Sequence, residues 1–161
     1  MDYVSEKPDI VCLSKALTGG FLPLSLTIAT DEVYNAFLSD NPKKALIHGH
    51  SYTGNPIACA AACKSLEIFM RPETRQKVAT VERFYRSRPL EGVVKRRTCG
   101  LIDAFDVASS ERAQKVVHDL FERGIFMRPL GSTLYVLPPL CVTTEELEWV
   151  YDEIRNVLKL V

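Results

Sequence analysis

Lys15 is the residue of this chain best placed to do chemistry. It follows the apolar run Ile10-Val11-Cys12-Leu13 and precedes the pair Gly19-Gly20. The run, bounded by Pro8-Asp9 and by the glycines, predicts a short buried strand. Lys15 then stands where the chain leaves the sheet for a loop. A primary amine in a semi-buried pocket loses its charge more readily and becomes a nucleophile or a base. The same spacing also fits a strand-end lysine whose stem lies on apolar surface while its ammonium reaches water. A second polar stretch, His48 to Pro56, carries His48 and His50 on either side of Gly49. Imidazoles there suggest acid–base work or metal binding, but their loop-like setting favours a positioning role. Cys59 and Cys63 are four residues apart, which would set two thiolates on one helix face. Without a His or Cys partner near them in sequence, they read as small buried apolar side chains and not as a metal site.

The composition narrows the partners. Lys and Arg together number 20, as do Asp and Glu. The resulting zero net charge argues against a nucleic acid or an anionic membrane as the main partner. The cluster Lys95-Arg96-Arg97 is short and fits a solvated strand edge. Five cysteines without a C-x-x-C pair predict free thiols in a reducing compartment. The first residues lack a basic region followed by an apolar stretch, and no apolar run approaches spanning length. These features predict a cytoplasmic chain, long enough to bury a core.

The elements that must position these residues follow from periodicity and breakers. Leu22 to Thr30 alternates apolar with small or polar residues and predicts a strand with one buried face. Asp31 opens a short helix with Val33, Ala36 and Phe37 on one side, closed by Asp40-Asn41-Pro42. Asn55 suits an N-cap and Pro56 the first position of a helix running from Ile57 to Phe69. That helix is apolar or small almost all round, which predicts burial on every side and cover from a partner subunit or from preceding sequence. Met70-Arg71-Pro72 breaks it, and a charged helix through about Tyr85 uses Val78, Val81 and Tyr85 as its apolar side. From Gly92 the expected order is strand, strand, helix, strand, strand, helix. The strands are Val93 to Arg97, Leu101 to Val107, Ile125 to Arg128 and Leu134 to Leu137. The first helix carries Ala113, Val116, Val117, Leu120 and Phe121 and stops at Gly124. The last begins at the capping box Thr143-x-x-Glu146 and is striped by Leu147, Val150, Tyr151, Ile154, Val157 and Leu158. This tail predicts a compact α+β unit with helices on one face of a small sheet.

The stretch Pro8 to Gly20, with Lys15 near its centre, resembles the cofactor-lysine segment of the class III pyridoxal-phosphate aminotransferases of fold type I. His48 to Ala62 resembles their second signature. Thr18-Gly19-Gly20-Phe21-Leu22-Pro23-Leu24, together with Arg128-Pro129-Leu130-Gly131, Leu134-Tyr135 and Pro138-Pro139, is most similar to a biotin-synthesis branch of the family. Members of that branch move the amino group of S-adenosylmethionine to 8-amino-7-oxononanoate. The resemblance spans nearly the whole chain. It implies an α/β fold: an incomplete large domain with its connecting helix over 1–88, then a small α+β domain over 89–161.

It also implies the roles of single residues. Lys15 would hold pyridoxal 5'-phosphate as a Schiff base and move protons as a base. Ser51, where many relatives have threonine, would contact the cofactor phosphate from the neighbouring subunit, with His50 beside it and the Tyr52 amide as a further donor. Gly49 would leave room for substrate, Arg128 would grip the carboxylate of the keto-acid acceptor with two parallel bonds, and Tyr135 would border the pocket. The residues taken alone also fit plainer roles: a loop hydroxyl for Ser51, a surface ion pair for Arg128, core packing for Tyr135. The family's phosphate loop, ring-stacking aromatic and ring-nitrogen aspartate have no counterpart in this sequence. The chain thus resembles the C-terminal part of a longer homodimeric enzyme, with Met1 at a position internal in relatives. Two other expectations remain: a different ω-aminotransferase, or a non-catalytic piece that binds a full-length subunit.

Overall fold

The computed structural model describes residues 5–160 of the 161. They form two compact units, divided between Arg71 and Pro72. In the first unit, β1 (Ile10–Leu13) pairs antiparallel with β2 (Leu26–Ala29). Between them lies a short 3-10 turn, Lys15–Thr18, closed by Gly19 at φ 63° and Gly20 at φ 81°. Only glycine takes that left-handed geometry at no steric cost. Next come α1 (Asp31–Phe37), capped by the Thr30 hydroxyl, and α2 (Pro56–Phe69). Asn55 Oδ1 accepts from the amides of Ile57 and Ala58, both at 3.0 Å, so α2 starts where the sequence predicts.

The burial expected of this unit does not hold. β2 is exposed along its length, and only Val11 of β1 is half-buried. It is also shorter than the alternation of Leu22 to Thr30 suggests. In α2 only Ala58 is buried, while Ile57, Leu66 and Phe69 stay exposed. A two-stranded ribbon and two helices, one of them only seven residues long, do not have enough surface to cover each other's faces. The thiols follow suit: Cys12 and Cys63 are exposed and Cys59 is half-buried.

The second unit has a continuous core. α3 (Pro72–Ser87) opens it and belongs to it by packing, because Val81, Phe84 and Tyr85 lie in that core. The sheet has the order β3-β4-β5 and is antiparallel throughout: β3 (Arg96–Cys99), β4 (Ile102–Asp106) and β5 (Thr133–Val136). α4 (Ser110–Phe121) sits between β4 and β5 in sequence, capped by the Ser109 hydroxyl. α5 (Thr144–Leu160) begins at the predicted capping box. The Glu146 amide donates to the Thr143 hydroxyl at 3.1 Å, and the Thr143 amide donates to the Glu146 carboxylate at 2.7 Å. The strand expected at Ile125 to Arg128 is absent. Ile125 and Met127 are buried there and Phe126 is exposed, so the chain is extended, but no ladder pairs it.

Phe105, Val116, Leu120, Leu134, Leu147, Tyr151 and Ile154 fill the centre of this unit. One charge is fully buried among them. Asp103 takes a forked pair from Arg96, a bond from the Thr98 hydroxyl at 2.9 Å and another from the Tyr151 hydroxyl. The rings of Tyr151 and Tyr85 stack at 5.6 Å, and the Tyr85 hydroxyl donates to the Leu101 carbonyl at 3.1 Å. Burial raises both phenols well above their ordinary range, and the Asp103 carboxylate raises them further. Burial lowers the pKa of the Arg96 guanidinium, but its bond and charge attraction to Asp103, with those to Tyr151, together exceed that and raise it.

Candidate active site

The first unit contains an open cleft of about 890 Å³. Lys15, Gly20 and Phe21 line it from the turn after β1, and Gly49, His50 and Thr53 from the loop before α2. The strand ends at Leu13 and the turn begins at Lys15, so the lysine does stand where the chain leaves the sheet. It is exposed at the cleft edge and not semi-buried. Its stem runs beside Gly20: a Cβ on that glycine would lie 3.5 Å from Lys15 Cε. The Gly20 amide donates to the Lys15 carbonyl at 3.0 Å, which tightens the same turn.

The His48 to Pro56 loop is held by its own polar groups. The His50 amide donates to the Thr53 hydroxyl at 3.2 Å, and the Tyr52 amide donates to His50 Nδ1 at 3.2 Å. His50 is therefore a loop brace. The Tyr52 amide, expected as a free donor, is already used within the loop. Gly49 has open space around it, with nothing within 4 Å of where a Cβ would stand. Ser51 is exposed on the same loop, between two residues that line the cleft. Among the described residues no three His, Cys, Asp or Glu side chains gather as a metal site. No helix there is long and apolar enough to cross a membrane.

Arg128 and Tyr135 belong to the second unit. Arg128 is exposed in the extended segment before β5 and makes no ion pair among the described residues, so it is not the surface ion pair its type suggests. Tyr135 is half-buried on β5, opposite Ala104 of β4.

Two hydroxyls that sequence reasoning missed brace the turn carrying Lys15, although neither lines the cleft. The Thr18 hydroxyl donates to the Leu22 carbonyl at 2.6 Å and accepts from the Leu22 amide at 3.2 Å. The Ser65 hydroxyl of α2 reaches the Ala16 carbonyl at 3.4 Å, joining the helix to the Lys15 turn. The available signal was a hydroxyl beside a glycine pair, four residues before a turn-closing backbone.

The aminotransferase class-III family model matches residues 1–158. The chain belongs to the class-III aminotransferases. Within the family, it is 40% identical to the adenosylmethionine-8-amino-7-oxononanoate aminotransferase of Synechococcus elongatus, over 94% of this chain and 38% of that protein. The enzyme of the same name from Methanocaldococcus jannaschii is 36% identical, over 96% of this chain and 37% of the relative. A crystal structure of that enzyme superposes with a TM-score of 0.84 at 34% identity, covering 96% of this chain and 39% of that one. The chain thus spans under two fifths of the curated relatives it matches, and its fold is the corresponding part of the α/β fold of the pyridoxal-phosphate aminotransferases. The cleft presents the Lys15 amine and the Thr53 side chain, and its volume lies within the usual range of ligand pockets.

Proposed function

We propose that this chain is the lysine-bearing part of an aminotransferase of biotin synthesis. It would move the amino group of S-adenosylmethionine to 8-amino-7-oxononanoate, giving 7,8-diaminononanoate, as a cytoplasmic homodimer. The observation that carries this reading is Lys15 at the edge of an open cleft shared with the Gly49–His50 loop, in a chain whose relatives bear that enzyme's name. When bound, pyridoxal phosphate supplies the electron sink for the electrons of the broken C–H bond.

The residues of this chain do the rest. Lys15 Nζ would hold the cofactor covalently, and as a free amine it would move the proton between the substrate carbon and the cofactor. The Ser51 hydroxyl donates to the phosphate, in the dimer from the neighbouring copy, and His50 keeps the loop in shape for it. Gly49 leaves the substrate path open. Arg128 would offer a planar pair of N–H donors to the distal carboxylate of the acceptor, and Tyr135 would be a further substrate-binding residue. The domain division at residue 88 belongs to the same proposal.

The test is transfer of a heavy-nitrogen label from the amino group of S-adenosylmethionine into the product, read by mass spectrometry. Label in 7,8-diaminononanoate with the unmodified protein, and none with Lys15→Ala, is the expected result. Equal transfer by Lys15→Ala would refute the role of Lys15. Transfer from other amine donors only would assign the protein to a different ω-aminotransferase reaction.

A further inference from the structure

We propose that Thr18 is a positioning residue for Lys15; the inference rests on the reading of Lys15 given above. Thr18 is 4% exposed and is the one buried polar side chain among the described residues of the first unit. In a unit that leaves most of its side chains in water, that burial is concentrated on the turn carrying the lysine. Its hydroxyl uses both donor and acceptor capacity on a single residue, Leu22. Those two bonds close the loop from Thr18 to Leu22 and hold Gly19 and Gly20 in their left-handed conformations. Gly20 in turn donates its amide to the Lys15 carbonyl at 3.0 Å, and the Lys15 stem runs past it where a Cβ would stand 3.5 Å from Cε. The path from hydroxyl to lysine is therefore continuous: Thr18 fixes Leu22, the closed loop fixes Gly20, and the Gly20 amide fixes the Lys15 backbone from which the side chain starts. Thr18 does not line the cleft, so it acts on Lys15 and not on substrate.

The experiment compares the full chain with Thr18→Val, which keeps the shape but loses the hydroxyl, and Thr18→Ser, which keeps the hydroxyl. Each is incubated with pyridoxal phosphate, then with borohydride. The lysine nitrogen bonds to the aldehyde carbon, water leaves, and hydride with a solvent proton completes a stable secondary amine. Peptide mapping then gives the labelling of Lys15 relative to the exposed Lys43 and Lys44 of the same sample. The unmodified chain is expected to label Lys15 preferentially. Thr18→Val is expected to lower that preference by roughly tenfold, as for the loss of two hydrogen bonds. Thr18→Ser is expected to restore it to within about twofold of the unmodified chain, since one hydroxyl replaces another.

Hydrogen exchange of the α2 amides is measured alongside. Altered α2 exchange in Thr18→Val would make Thr18 a general structural residue and overturn the proposal. Unchanged preference in Thr18→Val, or failure of Thr18→Ser to rescue it, would overturn it as well. Absence of any Lys15 preference in the unmodified chain would instead remove the reading of Lys15 itself, and this inference with it.

Discussion

At the scale of single residues, the proposed function gives two cations different work. Lys15 has a stem that passes Gly20 and a side chain that lines a cleft. Arg128 has no carboxylate partner among the described residues, so its donors are available to a ligand. A guanidinium that recognises one carboxylate does so through both parallel bonds, and its loss is felt only by the molecule that carries the acid. Arg128→Ala is accordingly expected to weaken 8-amino-7-oxononanoate by about 2–4 kcal/mol. The half-reaction with S-adenosylmethionine should stay nearly intact. Stopped-flow traces of the two half-reactions check this, and equal damage to both would contradict the assignment.

At the scale of elements, the second unit is organised by a charge it buries. Asp103 on β4 binds Arg96 and Thr98 of β3 and Tyr151 of α5, while Arg96 also donates to the Tyr85 carbonyl of α3 at 2.8 Å. One carboxylate thus ties a sheet to two helices. Removing it would leave the Arg96 charge without a counter-ion in a largely buried place. Asp103→Ala is expected to cost about 3–5 kcal/mol in urea unfolding of this unit. Tyr151→Phe, which removes one donor and keeps the ring, should cost about 1–3 kcal/mol. The double variant should fall short of the sum, because both substitutions break the same network. Helix ends carry smaller terms. Thr143→Ala removes one arm of the capping box and should cost about 1 kcal/mol, also by urea unfolding.

At the scale of the whole molecule, the two units differ in how they meet water. The first exposes Phe21 at 90%, Ile47 at 78% and Ile57 at 71%, far more apolar surface than a soluble unit leaves bare without a partner. Self-association is expected, with a mass by sedimentation above the 18.1 kDa of one chain that falls on dilution. Amides of α4, α5 and β4 should exchange slowly and those of β1 and β2 fast, because protection follows buried contact. The second unit also has an alkaline limit. Folding holds Tyr85 and Tyr151 neutral, whereas unfolded tyrosines ionise near pH 10.0. Below that pH both states keep their protons and stability is complete. As pH rises past it, the unfolded chain sheds protons that the folded one retains, and stability falls. Tyrosinate absorbance should therefore appear together with loss of helical circular dichroism.

The signals read correctly from the sequence were local ones. Asn55 before Pro56, the Thr143–Glu146 box, Pro72 after Met70-Arg71, and the glycines after Lys15 act through bonds and dihedrals within a few residues. Their outcome does not depend on the rest of the fold. The motif around Lys15 and the His48 loop is legible for the same reason, and by itself it points to the family. What tertiary structure alone decided was burial and pairing. Ile125 to Arg128 has the alternation of a strand but no ladder partner. The apolar α2 is mostly exposed because the other described elements of its unit cover little of it. Asp103 is only one residue of the predicted strand Leu101 to Val107, yet in the fold it is the buried centre of a network reaching from Arg96 to Tyr151. Hydrogen-bond ladders, core burial and charge compensation join residues tens of positions apart, so only the folded chain determines which of them meet.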